Sequence, residues 1–354
     1  MRKTLDSFRI LNYDEIVPTI NDVALECGVS ITTVSTVLNN ASRPVKAETR
    51  QRVLAAARRL NYHPNAMATA LVRRRVNTIG VLPGVFRATD VLTDIYAFGV
   101  LQGILQAAAE NDFHVTLFTK PWQDGAHSAG AYRDRRTDGI IIVAPTLESD
   151  VATALSSLGL LVVTIAAGPS PGVASVDIDN YAGARLAVEH LFELGHQRIA
   201  HITGIPDAAS VCERQLAFID VCTEHGFIVP DDYIISANYS GKGVAKATRM
   251  LLSLPSRPTA IFAGNDAIGK YIVDTAVELG LRVPADLSVV GFDDSIYATT
   301  MTPQLTTIRQ SPKNVGALAA SLLIARVNGE DIQERRHLLP PELVVRNTTS
   351  YLKG

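Results

Sequence analysis

The chain has 354 residues, 47% of them hydrophobic and 19% charged, with a net charge of −2, a composition that suits two or three soluble globular domains with a sizeable core. No apolar run reaches the roughly 18 residues needed to span a bilayer. The N-terminal stretch MRKTLDSFRILNYDEIVP carries acids and lacks a hydrophobic signal core, so membrane and secreted classes are set aside and a cytoplasmic protein is expected.

Charge is unevenly placed. Residues 19–75 carry nine Lys/Arg against three acids, a charge of +6; residues 1–18 balance at zero, and the remainder holds −8. A basic head on an acidic body points to a nucleic-acid partner for the head, with a merely solvated charged face as the plain alternative. Cys27, Cys212 and Cys222 form an odd set without metal spacing, which fits reduced thiols. No metal or cofactor is expected.

In TINDVALECGVSITTVSTVLNNA, residues 19–41, Thr19 caps a helix from Ile20, with Asp22 placed as in a capping box. Gly28 ends that helix where a left-handed backbone is needed. Ser30 caps a second helix from Ile31 to about Leu38, with Val34, Val37 and Leu38 at helical spacing. A small residue (Ala24), a glycine turn and a buried β-branched residue form the helix-turn-helix pattern, whose second helix lies in the DNA major groove. Ile31, Thr32 and Thr36 then face base edges, with Thr33 and Ser35 nearer the phosphates. An ordinary αα-hairpin is the alternative. A third helix is expected over about Ala47–Asn61, with Val53, Ala57 and Leu60 on one face. After Pro64, Asn65 caps a short helix from Ala66 to about Val72, too short to be stable alone in water. Its Met67 and Leu71 share a face that suits a partner copy and a DNA minor groove.

From Asn77 onward, apolar strand candidates (TIGVL, HVTLF, GIIIV, LLVVTI, RIAHIT, YIISA, TAIFA, LSVVGF) alternate with helical stretches such as LQGILQAAAE, YAGARLAVEHLFEL and DAIGKYIVDTAVELG. The alternation predicts two successive doubly wound parallel sheets, with a ligand cleft outside the carboxyl ends of their strands.

PTINDVALECGVSITTVSTVLNN, TRQRVLAAARRLNYHPNAMATALV and NTIGVL, then LFELGHQRIAHITG, PTAIFAGNDAIG, VPADLSVVGFDDS and TPQLTTIRQ, resemble the lactose-repressor (LacI/GalR) family of transcription regulators over roughly residues 18–350. The resemblance implies an α/β chain with a helix-turn-helix head and a periplasmic-binding-protein-like core of two lobes. It places an N-terminal extension at 1–18, the head at 19–64 and a hinge helix and linker at 65–76. The effector-binding and dimerisation core follows at 77–354, with an N-lobe of about 77–177 and 310–338 and a C-lobe of about 178–309 and 339–354. Ile31, Thr32 and Thr36 match the base-reading positions, although an arginine is often found at the last of them. Thr19, Ser30, Thr33, Ser35, Asn39, Asn65 and Ala68 complete the implied DNA contacts, and Leu71 matches the leucine that wedges into a minor-groove step. Residues 1–18 fall outside the family pattern; a translation start at the position written Val17 is one expectation.

For the cleft, the resemblance implies Arg214 from ERQLAF, where Ala217 replaces the usual glycine, Asn265 from GND and Asp293 from GFDDS. An arginine fork and a carboxylate can grip adjacent hydroxyls. Tyr96, Phe218 and Phe292 are expected as an apolar wall. The plain alternatives are a helix cap for Asn265, internal pairing for Arg214 and ordinary core for the aromatics. The loop PGVFRATDVLTDIYAFG is longer than the family's usual connection and borders the cleft.

Catalytic patterns fail on inspection. GPSPG at 168–172 puts Pro171 and Gly172 where a nucleophile elbow needs a helix. GNDAIGKY at 264–271 has Tyr271 where a P-loop needs Ser or Thr. DIDNYAG has Tyr181 at a calcium-ligand position, and His196 and His201 have no third ligand. The expectation is a non-enzymatic regulator, most simply a repressor, binding a palindromic operator as a homodimer. A small molecule, a sugar or sugar derivative ahead of a purine, would control it. A solute-binding module for a small sugar with an incidental head is the alternative, and an α/β enzyme carrying a head is a further rival.

Overall fold

A computed structural model describes residues 18–39, 43–64, 75–84, 90–237, 239–332 and 335–352. The chain divides into two units at Val76 and Asn77.

The first unit is three helices: α1 (Ile20–Cys27), α2 (Ile31–Leu38) and α3 (Ala47–Arg59). Gly28 turns α1 into α2 with φ of 59°, a conformation that a Cβ disfavours. The Val29 N–H returns to the Ala24 carbonyl at 3.1 Å and closes the end of α1. Val23, Ala24 and Cys27 from α1 meet Val34 and Val37 from α2 and Val53, Ala56 and Ala57 from α3, all buried. So few apolar side chains make a small core, and Arg59 of α3 ties back to Glu26 of α1 at 2.6 Å.

The second unit holds two six-stranded sheets. The first is ordered β11 (Arg336–Leu339), β5 (Ala174–Ile178), β4 (Val162–Ile165), β3 (Gly139–Val143), β1 (Thr78–Pro83), β2 (His114–Leu117), and every pairing in it is parallel. The second is ordered β12 (Glu342–Val344), β10 (Thr306–Arg309), β9 (Ser288–Asp293), β8 (Ala260–Ala263), β6 (Ile199–Thr203), β7 (Ile234–Ser236). It is parallel except at its edge, where β12 runs antiparallel to β10. The central strands are buried along almost their whole length, as strands covered by helices on both faces must be. The chain passes between the sheets after Ile178, after Arg309 and between Leu339 and Glu342.

The helices Ile95–Glu110 and Pro312–Val327 pack closely on the first sheet. A Cβ added to Gly103 would stand 1.9 Å from the Lys313 carbonyl oxygen, and one added to Gly316 would stand 2.0 Å from that of Val100. These two glycines set how near the helices approach.

Candidate nucleic-acid interface and ligand cleft

At the start of α2 the Ser30 hydroxyl accepts the Thr33 N–H at 3.1 Å and lies 2.9 Å from the Thr33 hydroxyl. Ile31 is 50% exposed, an apolar side chain that packing within the head does not use, and Thr32 is exposed beside it. Asn39 donates to the Ser35 hydroxyl at 3.1 Å. Thr19 directs both its N–H and its hydroxyl to the Asp22 carboxylate at 2.7 Å, and these bonds hold Asp22 below the usual carboxylate range. Thr36 departs from expectation: it is buried, and its hydroxyl donates to the Thr32 carbonyl at 2.8 Å. A hydroxyl turned toward the protein closes on its own helix backbone, so it is not presented as a base-reading group. Asn65, Ala68 and Leu71 lie outside the described residues.

In the second unit a cleft of about 270 Å³ opens at the carboxyl ends of strands from both sheets, where ligands of such folds bind. Ala144 and Ala166 follow β3 and β4, Asp177 is near the end of β5, Asn265 follows β8, Asp293 ends β9 and Gln310 follows β10. Ala144 (φ 49°), Ala166 (φ 51°) and Asp293 (φ 135°) all hold conformations costly for a side-chain-bearing residue. Such strain concentrates at functional sites.

Arg214, on the helix Ala209–Glu224, is the fixed point of the cleft. Its Nε and Nη2 donate to the Asn180 side-chain oxygen at 2.9 and 2.8 Å, and its Nη1 donates to the Gly264 carbonyl at 2.7 Å. The guanidinium lies 3.5 Å over the Phe292 ring, a favourable cation–π placement. A guanidinium has five N–H groups, so two remain for a ligand. Asn180 is itself held, donating to Asp177 at 3.2 Å and to the Ile178 carbonyl at 3.3 Å.

Among the described residues, the Tyr96 hydroxyl and the Gln310 Oε1 in the cleft are buried without a hydrogen-bond partner. Gln310 uses its amide nitrogen to donate to Asp293 at 2.6 Å, which leaves its oxygen as a bare acceptor. Burial pushes the Asp177 carboxyl up to about 7; nearby Glu213 adds to the rise, while the Ile178 N–H, Arg214 and Arg336 oppose it. Asp293 is raised by burial and by Asp266, against the pull of Arg214 and Gln310. Burial also lifts the Tyr96 hydroxyl well above its ordinary value.

The structure brings Tyr96, Arg214, Asn265 and Asp293 onto one cleft. Asn265 also caps the helix Asp266–Glu278, accepting the Ile268 N–H at 2.9 Å, so the helix-cap reading holds for a residue that also lines the cleft. Phe218 and Phe292 do not line the cleft; both are fully buried in the core beneath it. Phe292, the residue before Asp293, packs in that core with its ring under the Arg214 guanidinium. Asp94, Asp177, Tyr239 and Gln310 line the cleft without having been anticipated. His196 is bonded to Thr259 and Ser288 at 3.0 Å each, and no cluster suited to a metal occurs among the described residues.

The family model for bacterial regulatory proteins of the lacI family matches residues 19–65, and that for a periplasmic binding protein-like domain matches residues 188–349. Over 335 residues the chain is 31% identical to catabolite control protein A of Priestia megaterium, across 94% of this chain and 99% of that protein. The chain belongs to the LacI family of bacterial regulatory proteins. This regulator is also 31% identical over 340 residues to the HTH-type transcriptional repressor PurR of Photobacterium profundum, covering 94% and 99% of the two chains. Among solved structures, the lac repressor dimer bound to operator and the anti-inducer ONPF matches with a TM-score of 0.81 at 29% identity, over 94% of this chain and 99% of that one. Helix-turn-helix head and two-lobed core thus make a DNA-binding transcriptional regulator. No helix among the described residues is long and apolar enough to cross a membrane.

Proposed function

We propose that this regulator is a cytoplasmic repressor that binds a palindromic operator as a homodimer, and that a sugar or sugar derivative in the cleft sets its affinity for DNA. The observation that carries the effector half is the pair of buried polar atoms, Tyr96 OH and Gln310 Oε1, left without partners among the described residues beside Arg214 and Asp293. Buried polar groups are almost always satisfied, and in a cleft the polar groups of a ligand can take that place. For the DNA half, Ile31 and Thr32 stand exposed at the start of α2, the end of a recognition helix that meets base edges. Two heads suit a two-fold site, and the similar lac repressor structure is a dimer on its operator. An effector moves the DNA-binding equilibrium only through its differential affinity for two arrangements of the protein. Tyr96, Arg214, Asn265 and Asp293 are the proposed effector contacts. Ser30, Ile31, Thr32, Thr33 and Ser35 are the proposed contacts in the head, with Leu71 as the minor-groove wedge. No enzymatic role is proposed.

Selection of duplexes from a random pool by the full-length protein tests this reading. Enrichment of a two-fold symmetric site, bound by dimers and altered in affinity by a ligand that raises the core's melting temperature, is the expected result. Ligand binding without any duplex selection would instead identify a solute-binding module.

A further inference from the structure

The sequence of α2, ITTVSTVL, contains no charged residue and no side-chain amide. Arginine, lysine, asparagine and glutamine are the side chains that grip guanine or adenine through paired hydrogen bonds in the major groove. Nothing within this helix can make such a pair. Its hydroxyls are largely spent inside the head. Those of Ser30 and Thr33 lie 2.9 Å apart, that of Ser35 accepts from Asn39 at 3.1 Å, and that of Thr36 donates to the Thr32 carbonyl at 2.8 Å.

What α2 presents instead is apolar. Ile31 is 50% exposed, while Val34 and Val37 of the same helix are buried in the head core. Thr32 is exposed beside it and carries a γ-methyl group. At about 100° per residue, Ile31, Ser35 and Thr32 share one arc of the helix, and Ser35 is the half-buried member of the three. A single exposed isoleucine is ordinary on a protein surface. Here it stands at the base-facing end of a helix that has no other strong means of telling one base pair from another.

Resting on the DNA reading of the head, we infer that α2 reads its half-site through thymine methyl groups. The C5 methyl of thymine is the apolar group that a base pair shows in the major groove, and apolar side chains recognise it by contact. Ile31 packs on one such methyl and the Thr32 γ-methyl on a neighbouring one, so T·A pairs fix the arms of the operator at those positions. The arms are not fixed by bidentate guanine contacts from α2. Each contact works by removing a methyl group from water, which corresponds to about fourfold in affinity.

The test starts from the symmetric site that the full-length protein enriches from a random duplex pool. Each thymine of one arm is replaced in turn by deoxyuridine, which lacks only the C5 methyl and keeps the hydrogen-bonding edge. Affinity is read by fluorescence anisotropy at fixed salt. One or two replacements should weaken binding about fourfold, the effect of one buried methyl, and the others by less than about twofold. At one sensitive position Ile31→Ala should bind the thymine and uracil duplexes equally, while Ile31→Val keeps the difference. A C·G pair carrying 5-methylcytosine there should bind better than the plain C·G pair by a similar factor. Binding of both variants to random duplex should match that of the parent; an equal loss there assigns Ile31 to packing and overturns the inference. A methyl sensitivity that Ile31→Ala and Thr32→Ser both leave intact also overturns it. A symmetric site indifferent to every methyl removal keeps the regulator and refutes this readout, whereas enrichment of no site refutes both.

Discussion

Asp177 offers a test of the cleft's electrostatics that needs no ligand. In the fold its carboxyl is 9% exposed and held near 7, whereas an aspartate in an unfolded chain titrates near about 3.9. Below the ordinary value both states are protonated, and the contribution to stability is whole. As pH rises toward 7 the unfolded chain releases its proton while the folded one keeps it, so stability falls. At about 1.4 kcal/mol per unit, the loss between pH 5 and pH 7 integrates to about 2 kcal/mol. Asp177→Asn cannot titrate. Its side-chain oxygen still accepts the Ile178 N–H, bonded at 2.7 Å in the parent. Weakening the bond from Asn180 costs about 1 kcal/mol at every pH. Urea unfolding followed by the fluorescence of Trp122, which lies in the same unit and donates to Asp150 at 2.7 Å, compares the two proteins. Parent stability should drop by about 2 kcal/mol more than the variant's between pH 5 and pH 7. Parallel curves would show that Asp177 is ionised in the fold, and the account of a dehydrated cleft would fail with it.

Gly103→Ala forces a Cβ onto the Lys313 carbonyl at 1.9 Å. It should cost about 1–3 kcal/mol in thermal unfolding, while Gly130→Ala, with nothing within 4 Å, stays within about 0.5 kcal/mol; equal melting temperatures would mean that the two helices are not held so close. Ile31→Ala should weaken operator binding by about 1–3 kcal/mol in a gel-shift titration and leave binding to random duplex unchanged; an equal loss on both would assign Ile31 to packing. Leu71→Ala should lower affinity for the symmetric site tenfold or more while the salt dependence of non-specific binding stays the same, and unaltered operator affinity would remove the wedge.

The head was readable because its signals are local. Thr19 with Asp22, Gly28 and Ser30 each act within four residues of where they stand, and each forms the bond or turn its type implies. The apolar strands were readable for a similar reason, since GIIIV at 139–143 is buried at every residue. What escaped was short or polar. β5 (ASVDI), β10 (TTIR), β11 (RHLL) and β12 (ELV) mix charged and apolar residues, because they carry the cleft, the crossings or the sheet edges. Asp177 did leave a trace, an acid inside an otherwise buried strand. Gln310 left none, since nothing in its neighbours tells that its oxygen will be stranded. The aromatic wall failed because Phe218 and Phe292 are spent on the core beneath the cleft.

Of the three places where the chain crosses between sheets, two carry cleft chemistry. Gln310 is the first residue past β10, and Asp177 stands one residue before the end of β5. A molecule that grips these side chains therefore presses on the axle rather than on the jaws. Affinity and the angle between the lobes are then set by the same few atoms, so a substitution at Gln310 that tightens binding will also reset how far the protein opens when empty.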